Sequence, residues 1–406
     1  MADQRTVIVG AGQAGGTVAA TLRHLGYTGS ITVVGDERWL PYERPPLSKA
    51  LLRGSLEIDR IFLRPAAFYA EQGIRLLTGR HVCAIDRTRC LLELDEGDAV
   101  GYDQLVIATG ARARRLSVPG AECLEIHVLR SIDDALVLRE ALLSSARVLI
   151  VGGGFIGMEI AAVVRSLGLS VTVIEAAPTL MARTLPPEVA AFLAGVHVDR
   201  GVAIHTGVAV RGFSPRPGGG VVAQTSMGPV EADVVVAGIG AIPNTEFAEA
   251  AGLAVEDGLL VDEFGRTDDR RIWAAGDVTR HFNPLLGRRV RLESWKNAQN
   301  QAIAVAKAIA GQPAPYAELP WLWSDQYDLN LQLSGVPRGD EHFVWRGTPD
   351  DGRFTVIGLS GETPSLAITV NQGREMRFAQ QLIARGTPVD PLQLADVRIP
   401  LQRMAA

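Results

Sequence analysis

Residues 147–175, RVLIVGGGFIGMEIAAVVRSLGLSVTVIE, decide the fold of this chain. The run VLIV is apolar without a break, which is typical of a strand buried on both faces of a parallel sheet. It ends at Gly152, and Gly154 and Gly157 complete the pattern G-x-G-x-x-G before a helical segment and a second strand that ends at Glu175. This order of strand, glycine turn, helix, strand and acid predicts an α/β unit that binds a dinucleotide.

Each part of the pattern has a chemical task. Gly152 permits the tight turn, Gly154 lets the backbone approach a pyrophosphate, and Gly157 lets the helix pack close to the strand. The helix N-terminus then directs N–H groups at the phosphates. Glu175 can accept hydrogen bonds from both hydroxyls of an adenosine ribose, and because its charge would repel a 2′-phosphate, the site is predicted to prefer NAD over NADP. A glycine turn that binds no ligand is the alternative.

The same construction also occurs near the N-terminus. Residues 6–37, TVIVGAGQAGGTVAATLRHLGYTGSITVVGDE, contain Gly10, Gly12 and Gly15, and Asp36 is predicted to end the second strand. Two such units predict two dinucleotides in one chain. A flavoprotein that takes electrons from a nicotinamide needs that pair, so the expected cofactors are FAD and NAD(H).

The composition of the chain argues against several other classes of protein. The 406 residues allow two or three domains, and 47% apolar residues can fill their cores. A net charge of −5 argues against nucleic-acid binding. The sequence has no signal-peptide pattern and no apolar run of the ~18 residues that span a membrane. We therefore expect a cytoplasmic protein with no membrane segment.

The three cysteines, Cys83, Cys90 and Cys123, are too far apart in sequence to form C-x-x-C or C-x-x-x-x-C. A redox-active cysteine pair is therefore not expected. Cysteines and histidines also do not cluster at ligand spacing, so no metal, iron–sulfur cluster or haem is predicted.

Further motifs carry a resemblance to a known family. They are R-P-P-L-S-K at 44–49, A-T-G at 108–110, G-D at 276–277 and PWLWSDQYD at 320–328. With the two glycine patterns, they resemble the pyridine nucleotide–disulfide oxidoreductase superfamily and, within it, the NADH-dependent ferredoxin reductases of bacterial oxygenase systems. The resemblance covers essentially the whole chain. Prolines in the first motif exclude a regular element there, and Ser48 is predicted to cap the helix that follows.

The resemblance implies an α/β, glutathione reductase-like fold, with two Rossmann-like dinucleotide-binding domains plus a C-terminal α+β domain. Residues 1–110 and 236–318 would form a discontinuous FAD-binding domain. Residues 111–235 would form the NAD-binding domain, and residues 319–406 the C-terminal domain. Alternating apolar residues in FTVIGL and SLAITV favour an antiparallel sheet in the last of these, followed by a helix in EMRFAQQLIARG.

Two residues are candidate catalytic residues. The resemblance places Lys49 near flavin N5, where a fixed positive charge offsets the negative charge that the reduced ring gains. It places Glu159 against the nicotinamide carboxamide and in a pair with Lys49. The alternatives are a solvated lysine in the first turn of a helix and an acid favoured near a helix start by the dipole alone.

Other residues are predicted to bind the cofactors. Arg44 would contact the FAD phosphates or ring edge. Asp277 would accept a hydrogen bond from a ribityl hydroxyl, act as a helix N-cap, or serve both purposes. Arg130 would contact phosphates or form a surface ion pair, and Trp323 would lie beside the flavin ring or in the core. The predicted FAD set is Gly10, Gly12, Ala14, Gly15, Asp36, Arg44, Lys49, Val82, Ala108, Thr109, Arg130, Gly276, Asp277, Trp295 and Trp323. The predicted NAD set is Gly152, Gly154, Ile156, Gly157, Glu159, Glu175 and Gly238.

The predicted activity is FAD-dependent NADH:ferredoxin oxidoreductase, in which electrons pass from NADH through FAD to a [2Fe-2S] ferredoxin that supplies an oxygenase. The alternatives are a rubredoxin reductase or NADH oxidase of the same fold, or a redox-sensing flavoprotein similar to apoptosis-inducing factor. The protein is expected to be a monomer or homodimer. The basic run of Arg288, Arg289 and Arg291 is a hypothetical docking surface for an acidic carrier, or else a solvated loop.

Overall fold

The computed structural model describes residues 4–405, and the chain divides into two compact units. The first unit is made of Met1–Arg44, Ile58–Arg112 and Ile242–Leu322. The second is made of Pro45–Glu57, Ala113–Ala241 and Trp323–Ala406. The short strands Ala111–Ala113 and Ala241–Pro243 lie where the chain passes from one unit to the other. No helix within residues 4–405 is long and apolar enough to cross a membrane.

A five-stranded parallel sheet forms the centre of the first unit. Its strands lie in the order Ile272–Ala274, Gln104–Ile107, Arg5–Val9, Ser30–Gly35 and Ile74–Thr78. The central strand is apolar on both faces, and Val7 and Ile8 are almost completely buried. Such burial is typical of parallel sheets that are covered on both faces. The predicted α/β class is confirmed.

Helices with small residues cover one face of this sheet. The helices Gln13–His24 and Trp295–Ile309 pack against each other, with Ala19 and Ala302 fully buried. Small side chains let the two helices approach closely. The other elements of the unit are the helices Ala66–Glu71 and Glu246–Ala250 and the strands Val82–Asp86, Leu91–Leu94, Ala99–Gly101, Leu259–Val261, Thr279–Asn283 and Arg288–Val290.

His281, in the strand Thr279–Asn283, is buried without a hydrogen-bond partner for either ring nitrogen among the described residues. Burial, together with the charge of Arg289, lowers the pKa of His281 to about 4. A histidine with a folded-state pKa below its unfolded value stabilises the fold above pH ~6.5 and loses that contribution as the pH falls toward ~4. The protein should therefore lose ~2 kcal/mol of unfolding free energy between pH 7 and pH 5 through this residue.

The variant His281→Phe keeps a ring against Tyr316, which lies 5.3 Å away between ring centroids, but cannot take up a proton. Denaturant titration of both proteins at pH 7 and pH 5 measures the difference between them. A pH dependence in the variant as steep as that of the unmodified protein would contradict the assignment.

The second unit contains a matching parallel sheet. Its strands lie in the order Val202–Thr206, Ser170–Glu175, Arg147–Val151, Val234–Ala237 and Ile126–His127. The helices Ala50–Arg53, Ile132–Leu143, Phe155–Ser166 and Pro187–Asp199 belong to the same unit. The strands Val210–Pro215, Val221–Thr225 and Gly228–Ala232 form a separate antiparallel sheet.

The end of the chain folds as a five-stranded sheet with a helix on it. The strand order is Trp321–Gln326, Leu329–Gly335, Thr363–Val370, Arg353–Ser360 and His342–Thr348. The helix Gly373–Arg385 buries Met376, Ala379 and Leu382, and the short helices Pro391–Ala395 and Leu401–Met404 follow it. The predicted antiparallel strands and helix are therefore present.

Two local predictions are wrong. Ser48 does not cap a helix: it ends a 3₁₀ turn, Pro45–Ser48, and the helix that follows is preceded by Lys49 with no side-chain cap from a described residue. The strand Ser30–Gly35 ends one residue before Asp36, whose side chain is exposed.

Candidate functional site

The two glycine turns have the same local geometry. Gly10 has φ of 108° and Gly152 has φ of 110°, in the region that favours glycine. A Cβ atom on Gly10 would lie 2.2 Å from the carbonyl oxygen of Ala108, and one on Gly152 would lie 2.4 Å from that of Gly238. Each turn therefore excludes every side chain at its first glycine, because a neighbouring strand end fills the space.

The helices that follow the turns present their N-termini. A Cβ atom on Gly15 or Gly157 would lie 1.9 or 2.1 Å from the carbonyl oxygen of the first glycine of its own turn. Gly12 and Gly154 precede the helices, and no described side chain caps either helix. Backbone N–H groups of a first helical turn without such a cap suit a phosphate. Both turns thus fit the pyrophosphate of a dinucleotide.

Glu175 is held against the second turn. Its Oε2 accepts a hydrogen bond from the N–H of Gly153 over 2.6 Å, and its Oε1 accepts one from the N–H of Ala177 over 2.7 Å. These bonds fix the carboxylate at the end of its strand. Ile156, on the first turn of the adjacent helix, leaves an apolar side chain 45% exposed beside the same turn.

Arg44 lies at the first turn. Its Nη2 donates to Glu37 Oε1 over 2.8 Å and its Nη1 donates to the Tyr42 hydroxyl, also over 2.8 Å. Burial opposes the charge of Arg44, but Tyr42 and Glu37, with a contribution from Asp277, outweigh it and raise the pKa of Arg44. A Cβ atom on Gly12 would lie 3.7 Å from Arg44 Nη2. The role of Glu37 was not predicted, although this acid directly follows Asp36 in the sequence.

The G-D motif lies beside the same turn. Gly276 has φ of 86°, and a Cβ atom there would lie 3.1 Å from the Cβ of Ala14. Its N–H donates to Gln301 Oε1 over 2.8 Å, and Asp277 is buried. No helix begins at Asp277, because a strand follows from Thr279. Gln301 was missed by sequence reasoning, although a glutamine among the apolar positions of a helix is a signal of an internal hydrogen bond.

The remaining predicted FAD residues fall in both units. The Thr109 hydroxyl donates to the backbone carbonyl of Asn244 over 2.8 Å, and the side-chain amide of Asn244 donates to the backbone carbonyl of Thr109 over 3.0 Å. Val82 and Ala108 are buried, and Trp295 is the first residue of its helix. Lys49, Arg130 and Trp323 belong to the second unit, whereas the other members of the FAD set belong to the first.

Lys49 and Glu159 form an ion pair within the second unit. Lys49 Nζ lies 2.8 Å from Glu159 Oε1, and the Glu159 side chain is only 4% exposed. Ser324 donates to Glu159 Oε1 over 2.6 Å, and Ser48 donates to Glu159 Oε2. Three donors around one buried carboxylate offset the cost of removing it from water. The roles of Ser48 and Ser324 were not predicted, because both depend on contacts between distant parts of the chain.

Arg130, Trp323 and the three arginines of the basic run make ordinary local contacts. The backbone N–H of Arg130 donates to Asp134 over 3.0 Å, and Trp323 Nε1 donates to Asp325 over 3.1 Å. In the basic run, Arg288 and Arg289 are both exposed, and Arg289 also donates to the carbonyl of Val261. Arg291 pairs with Asp257 and Glu293. The charge of Arg291 is therefore compensated by its neighbours. Within residues 4–405, no three histidine, cysteine or acidic residues lie together in a way that would hold a metal.

Residues 4–302 match the family of pyridine nucleotide-disulphide oxidoreductases, and residues 321–405 match the reductase C-terminal family. The ferredoxin–NAD(+) reductase component of the anthranilate 1,2-dioxygenase system of Burkholderia cepacia is 47% identical over 98% of both chains. A solved structure of the ferredoxin reductase for the CYP199A2 system from Rhodopseudomonas palustris superposes with a TM-score of 0.96, at 37% identity over the whole of both chains.

A second solved structure, that of the covalent putidaredoxin reductase–putidaredoxin complex, also gives a TM-score of 0.96, at 38% identity over 100% of this chain and 98% of that chain. The chain belongs to the pyridine nucleotide-disulphide oxidoreductase family, with the reductase C-terminal domain. It is an oxidoreductase that uses FAD and NAD(H), as the sequence predicted.

Proposed function

We propose that this protein is an NADH:ferredoxin oxidoreductase that supplies electrons to an oxygenase through a [2Fe-2S] ferredoxin. The observation that carries the proposal is the pair of equivalent glycine turns, together with the buried Lys49–Glu159 pair and the absence of a disulfide among the described cysteines. The relatives named above include the ferredoxin–NAD(+) reductase component of a dioxygenase system and a reductase in covalent complex with putidaredoxin. Without a redox-active disulfide among the described cysteines, electrons would pass from FAD to the acceptor and not through a protein cysteine pair.

FAD supplies the redox chemistry when it is bound, since it accepts a hydride from NADH and releases electrons one at a time. The protein contributes position and charge. We assign Gly10, Gly12, Arg44 and Asp277 to FAD binding, because they lie around one turn in the first unit. The other predicted members of the FAD set keep the roles given to them by the family resemblance.

We assign the second turn to NADH. Gly152, Gly154 and Gly157 would accept the pyrophosphate at the helix N-terminus, and Glu175 would accept the ribose hydroxyls. Glu159 is assigned to orienting the nicotinamide through its carboxamide. Lys49, held by Glu159, would stabilise negative charge as the hydride is transferred.

Glu175→Ala should raise the KM for NADH by about tenfold or more, because hydrogen bonds to a charged acceptor contribute ~1.5–3 kcal/mol. The kcat at saturating NADH should fall far less, since Glu175 binds the ribose in the ground state and the transition state alike. Steady-state kinetics with an artificial electron acceptor measure both constants. The exposed Glu249, in a helix of the first unit, gives a matched Glu249→Ala control. A fall in kcat by the same factor as the rise in KM, at unchanged FAD content, would contradict the assignment.

The activity itself is tested by the absorbance of the purified protein. FAD absorbance should bleach on adding NADH and recover on adding a [2Fe-2S] ferredoxin from an oxygenase system. Recovery with oxygen alone, at the rate seen with ferredoxin, would identify an NADH oxidase instead. Recovery with rubredoxin but not with ferredoxin would identify a rubredoxin reductase.

Four finer points belong to the same proposal. The chain would work in the cytoplasm, where NADH is produced, and as a monomer or homodimer. It would divide into the FAD-binding, NAD-binding and C-terminal domains at the boundaries predicted above. Arg288 and Arg289 are the exposed members of the basic run, and they would contribute most to the docking of an acidic carrier.

A further inference from the structure

A row of polar side chains leads away from Glu159 within the second unit. Ser324 Oγ donates to Glu159 Oε1 over 2.6 Å, and Gln326 Nε2 donates to Ser324 Oγ over 3.1 Å. His197 Nε2 lies 2.9 Å from Gln326 Oε1, and the Tyr327 hydroxyl lies 3.4 Å from His197 Nδ1. The row connects the helix Pro187–Asp199 with the carboxylate without a break.

The connecting residues are completely enclosed. Ser324 and His197 are 0% exposed, and Gln326 is 1% exposed. Burying polar groups costs free energy that their hydrogen bonds only offset, and apolar side chains of similar size would fill the space without that cost. Close packing alone therefore does not account for this row.

One arrangement of hydrogen atoms satisfies every bond. Glu159 is a carboxylate paired with Lys49, so it accepts and Ser324 donates. Ser324 then accepts from the NH₂ group of Gln326, which leaves the amide oxygen of Gln326 toward His197. That oxygen requires an N–H on His197 Nε2. Burial lowers the pKa of His197 and outweighs the hydrogen bond with Gln326, which raises it; the charge of Arg200 lowers it further, so the ring is neutral at pH 7.

We propose that His197 and Gln326 are positioning residues that hold the Glu159 carboxylate against Lys49 and thereby set the rate of hydride transfer. If the amide group of Gln326 rotated by about 180°, its oxygen would face Ser324, and Ser324 would donate to that oxygen instead of to Glu159. The N–H on His197 Nε2 opposes this rotation, because it would lose the amide oxygen as its acceptor. The inference rests on the proposed role of Glu159 in NADH oxidation.

A double-mutant cycle tests the connection. Gln326→Met keeps the length of the side chain and removes the amide, and it is made alone and together with Glu159→Gln. Rapid mixing with saturating NADH then measures the rate of flavin bleaching. Gln326→Met should slow bleaching about tenfold on its own and less than about twofold in the Glu159→Gln background, because its effect passes through the carboxylate.

Rescue and matched controls complete the test. His197→Leu should slow bleaching about as much as Gln326→Met does, whereas His197→Gln, which keeps an N–H donor, should stay within about twofold of the unmodified rate. Thr369→Val removes another fully buried hydroxyl of the same unit, one with no partner among the described residues, and should leave bleaching unchanged. FAD content and thermal unfolding are measured for each variant. Ser324→Ala replaces Gln326→Met in the cycle if the latter does not bind FAD.

The outcomes separate the two claims. Bleaching of Glu159→Gln at the unmodified rate would overturn the proposed role of Glu159 and, with it, the inference. If Glu159→Gln bleaches slowly, two results would overturn the positioning inference alone. One is an unmodified bleaching rate for Gln326→Met. The other is that Gln326→Met slows bleaching by the same factor with Glu159 as with Gln at position 159.

Discussion

Glu159→Gln is expected to slow the reduction of FAD by NADH about 100-fold at saturating NADH, with FAD still bound. The substitution keeps the shape of the side chain but turns an acceptor of three hydrogen bonds into a group with its own N–H donors. Removing one preorganised electrostatic group from a reacting centre typically costs ~2.7–4 kcal/mol of transition-state stabilisation, and because the Lys49 side chain is 21% exposed, the lower value, which corresponds to about 100-fold in rate, is expected. Rapid-mixing absorbance measures the rate.

The matched control is Glu231→Gln. Glu231 is in the same unit and pairs with Arg147 over 3.0 Å, but its side chain is 54% exposed. Exposed pairs contribute ~0–1 kcal/mol, so this variant should reduce its flavin at the unmodified rate. If Glu159→Gln, loaded with FAD, bleaches within about twofold of the control, the buried pair has no part in the hydride step.

The parts of the fold that the sequence predicts are those with a local cause. Uninterrupted apolar runs predict the strands Arg5–Val9 and Arg147–Val151, and the glycines after them predict the turns. Alternating apolar residues likewise predict the antiparallel strands Arg353–Ser360 and Thr363–Val370. In each case the pattern and its structural consequence lie within about ten residues of each other.

The parts of the site that the sequence does not predict depend on contacts between distant segments. Ser48 follows two prolines, which favours a helix cap, but its hydroxyl bonds Glu159, 111 residues away. His197 and Gln326 meet across 129 residues, and nothing in the local pattern of either segment specifies the other. Such polar groups are buried only because the fold supplies their partners, so their identity follows from tertiary structure.

Arg346→Met should detach the end of the chain from the C-terminal sheet. The Arg346 side chain is 1% exposed and donates to the carbonyl oxygens of Leu394, Asp396 and Ile399, and it pairs with Glu375 over 3.2 Å. Methionine fills much of the volume but leaves these acceptors without their donor. The loss of a buried charge partner costs ~3–5 kcal/mol. Limited proteolysis should then cut within residues 386–400 faster than in the unmodified protein.

Arg398→Met is the control, because it removes the same kind of side chain from the same segment. Arg398 is 87% exposed and pairs with Asp396 over 2.8 Å. Since an exposed pair contributes ~0–1 kcal/mol, its loss should leave the rate of cleavage almost unchanged. The two variants differ in what remains buried: after Arg346→Met the carbonyl oxygens stay enclosed without a donor, whereas after Arg398→Met water replaces the lost partner. Equal cleavage rates in the two variants would show that Arg346 does not hold the end of the chain in place.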